Sequence, residues 1–186
     1  MQGPNRPNIR RVATDDLTHD EIDEIRSLML DAFAEDEHGG FTDEDWQHAL
    51  GGVHFVFDVD RRIVSHASVV ERELHIAGNP VRTGYVEAVA TAPDAQRRGF
   101  GSAVMREVND YVSDSFALGA LGTGSQAFYE RLGWQIWRGP TLVRAPGGDQ
   151  RTPEEDGYIL VLKTPASPPL DLSSPISCEW REGDVW

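Results

Sequence analysis

Apolar residues recur at helical spacing through Ile22, Ile25, Leu28, Met29, Ala32 and Phe33, and Thr18 with Glu21 forms a capping box ahead of them. The pattern predicts a helix whose stripe packs on a core. Before it, Ile9–Ala13 reads as a first strand. Gly39-Gly40 breaks the helical pattern, Thr42 caps a short second helix running through Leu50, and Gly51-Gly52 ends that helix. Val53–Val59 and residues 63–73 read as strands joined at Asp60-Arg61-Arg62, and Ala77-Gly78-Asn79-Pro80 turns the chain into a strand that carries Glu87, an antiparallel meander. Helical spacing returns over residues 102–116, where Val104, Val108, Tyr111, Val112 and Phe116 share a face. Residues 118–121 form a short strand. Gly122-Thr123-Gly124 then opens a helix with Ala127, Phe128, Tyr129 and Leu132 that stops at Gly133, and residues 134–137 and 158–162 supply further strands. The Pro-rich residues 165–169 cannot hold regular structure, so 171–186 is either a loose tail or a segment that returns to pack, with Trp180 and Trp186 favouring return.

The chemistry concentrates between Tyr85 and Met105. A strand rich in small and apolar residues ends at Pro93-Asp94, and Gly99 and Gly101 let the backbone turn so that several N–H groups face one point at the start of the next helix. Arg97 and Arg98 add positive charge there. Such a turn suits a phosphorylated ligand, although Gln96-x-x-Gly99-x-Gly101 by itself also fits an ordinary glycine-capped turn. The Gly-Lys-Ser/Thr ending of a Walker loop is absent, and the glycines do not follow the dinucleotide fingerprint. Period-two alternation puts Tyr85, Glu87 and Val89 on one face of the strand and Val86, Ala88 and Ala90 on the other. Glu87 is a candidate functional carboxylate, or else a solvated surface one.

The chain of 186 residues, 39% apolar, suits one domain, residues 1–186, with a sizeable core. No run approaches a membrane span and the polar start lacks the apolar centre of a signal peptide, so a cytoplasmic protein is expected. One cysteine, Cys178, among acidic neighbours, argues against an internal disulfide and against an activated thiol. Acids outnumber Lys and Arg by 31 to 17, a formal charge of −14 and a pI near 4.7. Nucleic acid is thereby disfavoured. The field attracts small cations such as polyamines or amino sugars, or simply keeps the surface soluble. His19, His38, His48, His54, His66 and His75 show no metal-ligand spacing, and no metal is expected. Trp46 and Trp134 read as core or pocket walls.

Gln96-x-x-Gly99-x-Gly101 resembles the pyrophosphate-binding motif of the GNAT acetyltransferases, and the order of elements over residues 9–163 resembles their layout. Phe41-Thr42-x-x-Asp45-Trp46-x-His48-x-Leu50-Gly51-Gly52-x-His54, Gly84-Tyr85-Val86-Glu87, Leu118-Gly119-Ala120-Leu121, Tyr129-x-x-x-Gly133-Trp134 and Trp180-Arg181-x-Gly183-Asp184-Val185-Trp186 are similar to the aminoglycoside 2'-N-acetyltransferases within that superfamily. The resemblance implies an α+β fold with a mostly antiparallel central sheet flanked by helices, and residues 164–186 folding back on the substrate site. It further implies direct transfer of an acetyl group from acetyl-CoA, without a metal, to the 2'-amino group of an aminoglycoside antibiotic, conferring resistance, in a homodimer. Glu87 then acts as base and Tyr129 protonates the departing thiolate. Val89, Ala90, Thr91, Gln96, Arg97, Arg98, Gly99, Phe100, Gly101 and Ser102 hold coenzyme A, with the Val89 N–H on the thioester carbonyl. Asp36, Asp45, Glu87, Ala88, Gly122, Glu154, Glu155, Asp184 and Trp186, including its carboxylate, contact the amino sugar. Two departures stand out: Glu37-His38-Gly39-Gly40 looks inserted beside Asp36, and Gly122 replaces a serine that relatives often carry. Acetylation of another small polyamine or endogenous amino sugar, and a non-catalytic acyl-CoA- or drug-binding module, are the alternatives.

Overall fold

A computed structural model describes residues 9–34 and 40–186. They fall into two compact units, the described residues up to Val69 with Glu87–Val108, and Val70–Val86 with Asn109–Trp186, so three elements run from one unit into the other.

In the first unit, β1 (Ile9–Ala13) pairs antiparallel with β2 (Val53–Val59), and β2 with β3 (Arg62–Ile76), Val53 lying opposite Val69. Consecutive positive φ angles at Asp60 and Arg61, 51° and 65°, make the tight turn that twisted hairpins favour. Helix α1 (His19–Ala32) starts at the predicted capping box: Glu21 N–H donates to Thr18 Oγ1 at 3.3 Å and Thr18 N–H to Glu21 Oε2 at 2.9 Å. Ile25, Leu28 and Met29 form its buried face. Helix α2 (Asp43–His48) repeats the device with Thr42 and Asp45. Strand β4 (Asn79–Thr91) enters this unit at Glu87 and leads to helix α3 (Phe100–Ser115), whose Phe100 meets Phe57 edge to face at 4.9 Å.

In the second unit the strand order is β6-β9-β5-β4-β3-β10-β7-β8, with β5 (Leu118–Gly122), β6 (Gln135–Ile136), β7 (Thr141–Ala145), β8 (Gly148–Arg151), β9 (Ile159–Lys163) and β10 (Ile176–Glu179). β4 runs parallel to β5, and β10 parallel to β7; β5–β9, β6–β9, β7–β8 and β10–β3 are antiparallel. Helix α4 (Gln126–Glu130) follows β5 and is shorter than the predicted helix. Leu74, Tyr85, Leu118, Trp137, Ile159 and Ile176 are the core of this unit. Residues 165–169 hold no strand or helix, as expected, and polar contacts dock this stretch: Thr164 Oγ1 donates to Phe116 O at 2.9 Å and Ser167 Oγ to Ala117 O at 2.6 Å. Further on, a Cβ at Gly139 would lie 1.9 Å from Ser174 O, so only glycine lets the two backbones approach. The segment after 171 returns as β10 and ends with Trp186 buried. Trp180, expected to favour that return, is 54% exposed and takes no part in the core. Its position just past the paired residues of β10 leaves its ring in solvent.

Candidate functional site

In the first unit, the end of β4, the following turn and the start of α3 form one continuous surface. Glu87, Ala88 and Val89 are half-buried; Ala90 and Thr91 are tied to β3 through Ser65, whose Oγ lies 2.9 Å from both Ala90 O and Thr91 Oγ1. Strict alternation does not run through this stretch. Ala88 has φ of +49°, which costs an L-residue about 1–2 kcal/mol and turns the strand there, so the expected sorting of Tyr85, Glu87 and Val89 onto one face fails at Ala88. Beyond Thr91, the 3₁₀ turn Pro93–Ala95 is anchored by a two-pronged Arg62–Asp94 pair at 2.6 and 3.0 Å. Gln96 Nε2 donates to Thr91 O at 3.3 Å, Arg97 and Gly99 adopt φ of 60° and 86°, and Ala103 N–H closes on Gly99 O at 3.0 Å. The first-turn N–H groups of α3, at Phe100, Gly101 and Ser102, therefore point out of the helix end with the positive end of its dipole, as an anion site requires. Gln96, Arg97, Arg98 and Gly99 are exposed, and the Arg98 guanidinium lies 5.0 Å over the Phe100 ring. Asp45 sits on α2 with Oδ2 accepting from Thr42 N–H and Oγ1 at 2.8 and 2.9 Å. Asp36 and Glu37-His38-Gly39 lie outside the described residues.

In the second unit, Gly122, Glu155, Asp184 and Trp186 come together. Trp186 Nε1–H donates to Thr152 Oγ1 at 3.0 Å, Trp186 N–H to Asp184 Oδ1 at 3.0 Å, and a Cβ at Gly122 would stand 4.0 Å from the Trp186 carbonyl carbon and 3.6 Å from the Tyr85 hydroxyl. A serine would fit there. Burial, then the charges of Asp184 and Glu154, pushes the half-buried Glu155 carboxyl up to about 7. Glu154 is exposed beside it. Tyr129, on α4, is buried between Phe128 and Trp134, and that burial pushes its phenol well above the ordinary value, keeping the hydroxyl protonated. Cys178 is buried with its thiol pushed up to about 11, first by burial, and is no nucleophile.

Two basic residues to which the sequence assigns no role organise this corner. Arg72, 5% exposed, donates to Glu179 Oε1, Glu179 O and Val185 O at 2.9, 3.1 and 2.8 Å and stacks 4.7 Å over Tyr85. Arg181 donates to Asp184 O and Trp186 O at 2.6 and 2.9 Å. Their partners for Arg72 lie more than a hundred positions away, beyond any local signal. A groove of about 390 Å³ in the same unit is lined by Glu71, Arg72, Glu73, Arg82, Arg144 and Glu179 and contains none of the predicted site residues. Among the described residues, no cluster of three or more His, Cys, Asp or Glu could hold a metal, and no helix is long and apolar enough to cross a membrane.

The sequence pattern of the acetyltransferase (GNAT) domain matches residues 13–137, which include the whole β4–turn–α3 surface. The chain is a GNAT acetyltransferase. This GNAT chain is 40% identical over 181 residues to an aminoglycoside 2'-N-acetyltransferase of Mycolicibacterium fortuitum, covering 95% of this chain and 91% of that one. Its fold is that of a GNAT family acetyltransferase from Brucella melitensis solved in complex with acetyl-CoA, with a TM-score of 0.58, 16% identity and coverage of 88% and 92%. A probable N-acyltransferase from Enterococcus faecalis has the same fold, with a TM-score of 0.56 and 21% identity over 70% of this chain; the GNAT chain spans about a third, 32%, of that longer one.

Proposed function

We propose that this GNAT enzyme acetylates the 2'-amino group of aminoglycosides by direct transfer from acetyl-CoA. The similarity to the M. fortuitum enzyme over almost the full length carries this reading. The strand–turn–helix surface supports it from the co-substrate side, because exposed N–H groups, a helix start and two arginines suit a pyrophosphate. The acidic corner around Glu155 and Asp184 supports it from the acceptor side, since carboxylates suit ammonium groups.

Acetyl-CoA supplies an activated thioester. In this reading Gln96 to Ser102 hold its pyrophosphate, Thr91 and Ala90 pair with the pantetheine arm as an added strand, and the Val89 N–H polarises the thioester carbonyl. Glu87 takes the proton that the acceptor ammonium must lose before its nitrogen can attack, directly or through a water. The C–N bond forms as the C–S bond breaks, Tyr129, held protonated, supplies the proton that the leaving thiolate takes up, and the second proton that the nitrogen sheds on becoming an amide restores the Tyr129 phenol through solvent. The reading includes a homodimer, which sedimentation tests. Release of free thiol on mixing enzyme, acetyl-CoA and an aminoglycoside tests the activity. Thiol release that depends on both substrates supports it, and release with polyamines but no aminoglycoside refutes it.

A further inference from the structure

His54 and His66 have no part in the reaction as proposed, yet both are fully buried in the first unit and form a directed chain that ends on the strained residue of β4. His66 Nδ1 lies 2.8 Å from Ala88 O, His66 Nε2 lies 2.9 Å from His54 Nδ1, and His54 Nε2 lies 2.9 Å from Thr14 Oγ1. A carbonyl only accepts, so His66 Nδ1 carries the proton; a neutral His66 then accepts at Nε2, which requires a proton on His54 Nδ1 and leaves His54 Nε2 to accept from the Thr14 hydroxyl. Thr14 Oγ1 in turn accepts from Gly51 N–H at 2.9 Å. Thr14 Oγ1 also lies 3.3 Å from Gly52 O, a carbonyl that already accepts from Thr14 N–H at 3.1 Å, so the shorter contact to His54 Nε2 takes the hydroxyl proton. Burial, with the neighbouring His54 adding to it at His66, pushes the two imidazoles down to about 4 and about 3, which keeps both neutral.

The end of that chain is the Ala88 carbonyl, and Ala88 is the left-handed residue between Glu87 and Val89. An alanine holds such a conformation only where its surroundings over-determine it. We propose that His66, its tautomer fixed by His54, is a positioning residue for acetyl transfer: its Nδ1–H holds the Ala88 carbonyl and keeps Ala88 in its left-handed conformation, and that local turn of β4 sets the direction of the Glu87 carboxylate and the Val89 N–H. The roles of Glu87 and Val89 rest on the proposed function; the strut itself does not.

The test combines NMR with kinetics. In ¹⁵N-histidine-labelled enzyme, both Nδ1 atoms should be protonated and a coupling across the hydrogen bond should link His54 Nδ1 to His66 Nε2. A proton on His66 Nε2 overturns the proposal. His66→Leu removes the donor, whereas His66→Asn keeps a nitrogen donor at the same distance from Cβ as Nδ1. The Leu variant should lose about tenfold or more in kcat, as small misplacements at a reacting centre do, with its acetyl-CoA Kd within about threefold and Ala88 φ shifted in backbone couplings. The Asn variant should recover most of kcat. A folded Leu variant with kcat within about twofold of wild type, or an Asn variant no better than Leu, refutes the positioning role. If the wild-type enzyme acetylates no aminoglycoside, the functional reading fails, and the tautomers and Ala88 φ still decide the strut.

Discussion

Arg72→Met should loosen the returning segment while leaving the rest of the second unit intact. The guanidinium makes three hydrogen bonds to that segment. Each bond to a charged donor is worth roughly 1.5–3 kcal/mol, but the gross sum overstates the effect. Arg72 leaves with its own desolvation penalty, the Glu179 side chain is 43% exposed and can take up water, and Val185 O keeps the Cys178 thiol at 3.2 Å. Met also retains most of the packing over Tyr85. A net loss of about 2–4 kcal/mol remains, which at 1.4 kcal/mol per decade is roughly a 30- to 700-fold shift in the docking equilibrium. Amide exchange at Ser177 and Cys178 should accelerate by that factor while β5 and β9 stay protected, and the indole emission of Trp186 should shift to the red. Arg72→Lys, with its point charge and no fork, should fall between. Exchange at Ser177 and Cys178 within about threefold of wild type would refute the reasoning, because the three bonds would then contribute well under 1 kcal/mol.

Gly99→Glu, at φ of 86° on the turn proposed to hold the pyrophosphate, should weaken acetyl-CoA binding at least tenfold and leave aminoglycoside binding unchanged, and calorimetry on each ligand decides it. Gly139→Ala forces a Cβ against the Ser174 carbonyl at 1.9 Å, two backbones that cannot both stay, and should lower Tm by about 10 °C or more; a melt within about 2 °C of wild type contradicts that contact. Glu155, pushed up to about 7, is partly protonated at neutral pH, and an ammonium ligand favours its ionised form, so aminoglycoside affinity should rise between about pH 6 and pH 7.5 with proton release on binding. Glu155→Gln should flatten that profile. On folding the sign is opposite: a raised carboxyl stabilises below its unfolded value and loses that contribution as pH rises through about 7, so Glu155→Gln should gain stability relative to wild type at alkaline pH in urea titrations.

Local signals in the sequence were enough for the elements whose causes are local. Thr18 with Glu21 and Thr42 mark helix starts because a cap is satisfied within three residues, and the bounds of β1 and β2 match the strands expected at Ile9–Ala13 and Val53–Val59. Strands β7, β8 and β10 carry no such signal: β8 is Gly-Asp-Gln-Arg, and β10 follows a proline and pairs with partners far along the chain. The turn proposed to hold the pyrophosphate is legible as a turn because glycine and strand–turn–helix order are sequence properties. The twist at Ala88 is not, since no glycine, proline or turn residue marks it in Val86-Glu87-Ala88-Val89-Ala90 and the carbonyl that His66 holds is 22 positions away. Arg72 is hidden for the same reason, with partners more than a hundred positions away. A buried cation gains its meaning from the partners the fold brings to it.

The most direct measurement is the position of the acetyl group in the product. Enzyme, acetyl-CoA and an aminoglycoside carrying a 2'-amino group are incubated to completion and the product is mapped by two-dimensional NMR, with Glu87→Gln run beside it. The account predicts a single acetyl group on the 2' nitrogen and a turnover lowered roughly 10²–10⁴-fold in the variant, the usual loss for a general base. Acetylation at another amino group, or a variant as fast as wild type, would contradict it.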